Sequence, residues 1–116
     1  MKVDDRIASF VKLGQWLSVG LKEMEDGKTN DLSRITELTG KENGWFTKDS
    51  VFKSIQSIIG WLDNETLRKW VGKYYLSEQP FPKKVAVIMA GNIPLVNFHD
   101  FLSVLISGYK FLGKLS

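Results

Sequence analysis

The chain has 116 residues and a mass of 13.2 kDa, with 43% hydrophobic and 25% charged residues, which is the composition of one small globular domain. The absence of cysteine excludes disulfides, thiolate metal sites and a cysteine nucleophile within this chain, and the single histidine, His99, excludes a zinc site built on a histidine pair. No apolar run reaches the roughly 20 residues of a membrane span, and acidic residues stand where a secretory leader would be apolar. We therefore expect a cytoplasmic protein without a membrane span.

The net charge of +3 is confined to the C-terminal third of the sequence. Residues 1–79 carry 12 basic and 12 acidic side chains, whereas residues 80–116 carry four lysines and a single acid, Asp100. The four lysines are Lys83, Lys84, Lys110 and Lys114. A nucleic-acid interface normally shows a denser basic stripe that includes arginine, so we expect no nucleic-acid partner. Four scattered lysines suit either the phosphates of a small ligand or a plain solvated surface.

The N-terminal region, residues 1–79, has the pattern of about four helices. Residues 4–24 place apolar side chains three, four and seven positions apart, which predicts one amphipathic helix. Gly14 lies on the apolar side of that helix and predicts either close packing or a weak point. The next helices are predicted to begin near Asp31, Thr47 and Asp63, residue types that cap helix N-termini.

The C-terminal region has a different pattern, in which strand, helix and strand follow each other. Residues 84–90 form a continuous apolar run after two prolines, which is typical of a strand buried on both faces in a parallel sheet. Residues 94–108 have helical spacing, with Pro94 suited to the first helical position. Residues 110–115 predict a second strand. Together these elements predict a βαβ unit, and hence an α/β fold.

A sheet of two strands leaves both of its edges open. Small sheets need about three strands, or a covering helix, to be stable by themselves. We therefore expect either that this sequence is the front portion of a longer protein or that a second copy of the chain completes the sheet as a homo-oligomer.

The strongest local signal for a site lies between the predicted strand and helix, in the sequence AGNIPL of residues 90–95. Ligands of open α/β sheets bind at the carboxyl ends of the strands, and helix N-termini offer free N–H groups to anions. The amide of Asn92 can donate a hydrogen bond to a developing oxyanion there. The alternative is that Asn92 only makes a tight turn.

Three further features have two interpretations each. Lys114, at the end of the second strand, is expected at the same edge of the sheet, where it binds a ribose hydroxyl or a phosphate or is an ordinary exposed lysine. His99 is either a general base or a residue that positions the loop or packs in the core. Core or interface packing is a better interpretation than a stacking platform for the four tryptophans, Trp16, Trp45, Trp61 and Trp70.

Four segments of the C-terminal region carry a resemblance to a known family: KVAVIMAGNIPL (84–95), FHDFL (98–102), LISG (105–108) and KLS (114–116). They resemble the acyl-CoA reductase family of the aldehyde dehydrogenase superfamily, which includes the fatty-acid reductase of bacterial bioluminescence. The segment NGWFT (43–47) also resembles the N-terminal helical region of that family. The resemblance implies that residues 80–116 begin a Rossmann-like dinucleotide-binding domain, after a helical region at residues 1–79.

The resemblance also implies roles for individual residues. Asn92 matches the asparagine of the superfamily's oxyanion hole, and Gly91, Lys114 and Ser116 match positions at the NADP(H) site. Members of the family act as oxidoreductases that transfer an acyl group from CoA to a cysteine and reduce the thioester to an aldehyde with NADPH. Because this chain has no cysteine, the expectation is an N-terminal fragment that is inactive by itself. The alternative is a small, mostly helical protein-interaction module without catalytic activity.

Overall fold

The computed structural model describes residues 2–42, 47–78, 81–89, 95 and 97–115. Within these residues the elements are α1 (Val3–Glu25), α2 (Asp31–Glu42), α3 (Lys48–Trp61), α4 (Asn64–Val71), β1 (Lys84–Met89), α5 (Phe98–Ile106) and β2 (Lys110–Leu115). The architecture is mixed α/β and mostly helical, with a small two-stranded parallel sheet.

The predicted starts of the N-terminal helices are confirmed by their capping geometry. The side chains of Asn30, Thr47 and Asp63 each accept a hydrogen bond from the backbone N–H three residues later, at 2.8, 3.1 and 3.2 Å. These N–H groups have no partner within the helix, so each cap satisfies a donor that would otherwise need water. Short polar side chains before apolar stripes therefore define where α2, α3 and α4 begin.

Two hydrophobic clusters lie along α1, the longest helix. The larger cluster lies where α1 meets α3, α4 and α5, and its buried members are Ile7, Phe10, Ile58, Leu62, Leu67, Val71, Leu102 and Ile106. The smaller cluster lies between α1, α2 and α3, and its buried members are Leu21, Leu32, Val51 and Ile55. Because α1 contributes to both clusters, it connects the other helices into one packed unit, called the helical body here.

Helix α5 connects the sheet to this helical body. The ring of Phe101 packs edge-on against Phe10 of α1 and against Phe111 of β2, with centroid distances of 6.4 and 5.1 Å. Arg6 of α1 donates a hydrogen bond from Nε to the carbonyl oxygen of Ile106, at 2.9 Å. The sheet is therefore held against the helices through one face of α5.

The two strands pair in parallel along their whole length. The register begins with Lys84 beside Lys110 and ends with Met89 beside Leu115. The predicted second strand is confirmed with its predicted bounds, and the described part of the first strand matches residues 84–89 of the prediction. The sequence pattern thus correctly predicted a parallel pair joined by a helix.

The prediction that β1 is buried on both faces is wrong. Along the strand, exposed and half-buried residues alternate, and Ile88 is 76% exposed. The half-buried residues are Val85, Val87 and Met89. The physical reason is that α5 covers one face of the sheet, whereas no described element covers the other.

The helix between the two strands is predicted to span residues 94–108 with Gly108 capping its end, and the structure confirms that cap but not the predicted start. Helix α5 begins at Phe98, because Leu95 has a φ of 56°, in the left-handed region that a right-handed helix does not contain. The helix ends at Ile106, and Gly108 follows with a φ of 90°, a conformation that glycine adopts without a steric cost. The chain thus turns before and after α5 through left-handed residues.

Candidate functional site

The carboxyl ends of β1 and β2 lie at the same edge of the sheet, because the two strands run in parallel and in register. Lys114 pairs with Ile88 and is exposed, so its ammonium group is accessible close to the end of β1. This is the edge at which open α/β sheets bind their ligands. A lysine in this position can bind a ribose hydroxyl or a phosphate oxygen.

The other three candidate site residues, Gly91, Asn92 and Ser116, lie outside the described residues. Their roles remain those that the sequence predicts. Of the loop between β1 and α5, the structure describes Leu95, which is 46% exposed and has a φ of 56°. A left-handed conformation costs a non-glycine residue about 1–3 kcal/mol, and such strain is concentrated at functional loops.

The four lysines of the C-terminal region do not form one cluster. Lys84 and Lys110 are register partners at the amino ends of the two strands, and Lys83 is next to them. The backbone N–H of Lys110 donates to the carbonyl oxygen of Lys83 at 3.0 Å. Lys114 lies four positions further along β2, a distance of about 13 Å. The lysines therefore form two groups, one at each end of the strands.

His99 lies in the first turn of α5, and two tryptophans contact its ring. Its ring centroid is 5.5 Å from that of Trp61 and 5.7 Å from that of Trp70. These three side chains, with Thr66 and Leu102, line a cavity of about 210 Å³. His99 is therefore part of an aromatic cluster at the junction of α3, α4 and α5.

The tryptophans are predicted to pack in the core or at an interface, and the structure confirms this prediction only in part. Trp70 is half-buried against the larger cluster, whereas Trp16 is 48% exposed on α1. Trp45 lies outside the described residues. The contact of His99 with Trp61 and Trp70 was not predicted, since these residues are far apart in sequence and only the packing of three helices brings them together.

A second feature that the sequence analysis missed is the exposed sheet face. Leu112 is 55% exposed between Lys110 and Lys114 on β2, and Ile88 is exposed beside Lys114. The sequence contains a signal for the exposed face, because Lys110, Leu112 and Lys114 stand at every second position of β2. Strict alternation of this kind indicates one face of a strand.

The ion pairs of the described residues all lie away from the sheet. Asp31 pairs with Arg34 within α2, Asp49 pairs with Lys53 within α3 at 4.0 Å, and Asp4 pairs with Arg68 at 3.4 Å. All three pairs are largely exposed and stabilise the fold by little. The lysines of β1 and β2 have no acidic partner among the residues that the structure describes.

Within the described ranges, no three histidine or acidic side chains come together as a metal site. No helix in the described part of the chain combines the length and the apolar character that crossing a membrane requires.

The class of protein that the fold defines is a small, mostly helical α/β protein with a two-stranded parallel sheet. Comparisons with family models, with curated proteins and with solved structures found no match to this chain.

Proposed function

We propose that this chain supplies the N-terminal portion of an NADP(H)-dependent acyl-CoA reductase, a Rossmann-like enzyme that converts an acyl-CoA thioester into an aldehyde through a cysteine acyl-enzyme. One observation carries the proposal: the parallel register of β1 and β2, which puts Lys114 beside Ile88 at the carboxyl edge of the sheet. The segments that resemble the reductase family, 84–95 and 114–116, both lead to this edge.

Asn92 is the proposed oxyanion donor. It follows Met89, the last residue of β1, by three positions, so chain length keeps the two Cα atoms within about 11 Å of each other. Its side-chain amide would donate a hydrogen bond to the oxygen of the thioester carbonyl as that oxygen gains negative charge. The left-handed Leu95 supports a specialised loop after β1.

Lys114 is the proposed cofactor-binding residue, together with Gly91 and Ser116. The exposed ammonium group of Lys114 fits a ribose hydroxyl or a phosphate, because both offer acceptor oxygens and no acid among the described residues pairs with it. NADPH, when bound, supplies the hydride that reduces the thioester. The lysines at the amino edge lie about 13 Å away along the strands, and the proposed roles do not include them.

The nucleophile of the proposed reaction comes from outside this chain, because the chain has no cysteine. The coding frame beyond Ser116 provides the first test. A continuing frame with a cysteine-bearing segment supports the reductase, and a stop codon directly after Ser116 contradicts it.

The second test is a substitution in the full-length enzyme. Asn92→Ala should lower turnover by about 100- to 1,000-fold, since that is the effect of removing one oxyanion donor. Asn97→Ala, the same change in the same connection, is the matched control and should leave turnover unchanged within a factor of about three. Turnover of the Asn92 variant within that factor of the unmodified enzyme would contradict the proposal.

A second candidate function is a small protein-interaction module without catalytic activity. The observation that favours it is the sheet itself, which among the described residues has two unpaired edges and one uncovered face. Unpaired edges accept strands from other chains. A steady aldehyde-forming activity of the full-length protein would contradict this candidate.

A further inference from the structure

The sheet face turned away from α5, called the open face here, combines apolar and basic side chains. Its members are Lys84, Ala86 and Ile88 of β1 and Lys110, Leu112 and Lys114 of β2. The alternation of side chains along a strand places these six on one side, opposite Phe111, whose ring packs on α5. Ile88 and Leu112 are 76% and 55% exposed, so the open face has an apolar centre between lysines.

The charges of the open face are all of one sign. Lys84 lies directly beside Lys110 in the register, and like charges in directly opposed positions destabilise a sheet. Asp100, the single acid of residues 80–116, belongs to α5, on the other side of the sheet. Among the described residues, no acidic side chain forms an ion pair with the lysines of the open face.

The outer edge of β2 lies beside these charges and carries a regular row of backbone N–H and C=O groups. Among the described residues β2 pairs with β1 alone, so the backbone groups on its outer edge are available to another strand. Along this edge Lys110, Leu112 and Lys114 recur every second residue on the open face. A strand added at the edge would place its own alternate side chains beside these three.

We propose that the outer edge of β2 binds an extended acidic segment of a partner protein as a third strand, with the pattern acid–x–apolar–x–acid. The two acids lie beside Lys110 and Lys114, and the apolar residue packs against Leu112. Backbone hydrogen bonds provide the affinity, and the matched side chains provide the specificity.

A second copy of this chain is a poor occupant of the same edge. Pairing of two identical β2 edges would bring four lysines together around the two copies of Leu112. In addition, no two acids of this sequence stand four residues apart, so the chain does not contain the complementary pattern. The occupant is therefore a different polypeptide segment.

This inference deepens the interaction-module candidate and does not rest on the reductase proposal. The two proposals share Lys114, whereas Lys110 has a role only in the proposed binding at the outer edge of β2, called the docking edge here. A charge reversal at Lys110 therefore tests the docking edge, and Asn92→Ala tests the reductase, so that each can fail without the other.

The test uses the ¹⁵N-labelled chain and two synthetic peptides of identical composition at low salt. The matched peptide is Ser-Thr-Glu-Thr-Ile-Thr-Glu-Thr-Ser, and the control is Ser-Thr-Thr-Glu-Ile-Glu-Thr-Thr-Ser, in which both acids face away from the isoleucine. Both sequences read the same in either direction, so the comparison does not depend on strand orientation. We expect the matched peptide to shift the amide resonances of β2 and to bind about tenfold more tightly than the control.

Charge reversal provides the second part of the test. Lys110→Glu should weaken binding of the matched peptide about tenfold, and a peptide with one glutamate replaced by lysine should restore it. Lys12→Glu, which makes the same charge change on the exposed side of α1, is the matched control and should have no effect on binding. Three results would overturn the proposal: equal affinity for both peptides, no binding of either, or binding only to vesicles containing phosphatidylserine.

Discussion

Gly14 determines how closely α1 approaches the end of α3. A Cβ atom at this position would lie 2.7 Å from Cβ of Leu62 and 3.3 Å from its carbonyl oxygen, and both residues are buried. The sequence analysis noted that Gly14 lies on the apolar side of its helix, and the structure decides between its two interpretations. The glycine permits a close contact between two chain segments rather than weakening the helix without a benefit.

The first prediction concerns this contact. Gly14→Ala should lower the free energy of unfolding by about 1–3 kcal/mol, since the added methyl group overlaps a buried side chain and a backbone carbonyl. Gly60→Ala is the matched control, because Gly60 also lies in a helix but has nothing within 4 Å of the added Cβ. The free energy of unfolding of the Gly60→Ala variant should rise by about 0.5–1 kcal/mol. Urea unfolding measures both, and equal stabilities would contradict the steric argument.

A second prediction at this scale concerns Asp63, whose side chain caps α4. Asp63→Ala should destabilise the protein by about 0.5–2 kcal/mol, because the N–H of Thr66 loses its acceptor. Asp63→Asn keeps an acceptor oxygen, so the stability of this variant should remain close to that of the parent protein. Thermal unfolding followed by circular dichroism measures the stability of both variants. A loss of stability in the asparagine variant as large as that in the alanine variant would exclude capping as the cause.

At Gly113, the side chains of neighbouring residues occupy the space that a side chain at this position would need. Glycine generally weakens a strand, and Gly113 stands in the middle of β2. A Cβ there would lie 2.8 Å from the ring of Phe111 and 3.2 Å from the sulfur of Met89. The missing side chain leaves room for these two larger ones between the sheet and α5.

At the scale of elements, α5 has the central position. Its Leu102 is 1% exposed within the larger cluster, and its Phe101 contacts both α1 and β2. The sheet therefore depends on a helix of nine residues for its attachment. An isolated helix of this length is marginal in water, so α5 and the sheet stabilise each other through packing.

The third prediction tests this dependence. Leu102→Ala should lower the free energy of unfolding by about 2–5 kcal/mol, because it removes buried methyl groups and leaves a cavity. Leu38→Ala is the matched control on α2, where the leucine is 59% exposed, and should change stability by less than about 0.5 kcal/mol. Similar losses in the two variants, measured by urea unfolding, would contradict the central position of α5.

At the scale of the whole molecule, stability is distributed unevenly. The helical body has two buried clusters along α1, whereas the sheet has two strands, of which β1 alternates between exposed and half-buried residues. Amide protection follows burial and pairing. The part of the chain with the candidate site is thus the part with the least buried surface around it.

The fourth prediction follows from this distribution. Hydrogen exchange of the 116-residue chain should be fastest, among regular elements, in β1 and β2, and slowest in the parts of α1 and α3 that line the clusters. The matched acidic peptide should slow exchange in β2 and leave α1 unchanged. Protection in β1 equal to that in α1 would show that something already covers the sheet.

The elements that could be predicted from the sequence are those whose signals are local. The apolar spacing of residues 4–24, the polar caps at Thr47 and Asp63 and the turn at Gly108 depend on neighbours within one or two turns of the chain, so α1 to α4 and the parallel pair could be predicted. The same holds for the position of Lys114 near the carboxyl edge, since parallel strands end on one side.

Which surfaces are covered depends on how the elements pack together. The exposed face of β1 and the contact of His99 with two tryptophans depend on which segments pack together, and the sequence of β1 or of α5 does not encode that. An apolar strand looks the same in sequence whether one layer or two layers cover it. Burial is a property of the assembled layers, and for this reason the exposure of Ile88 on β1 follows from the packing of α5 against the other face of the sheet.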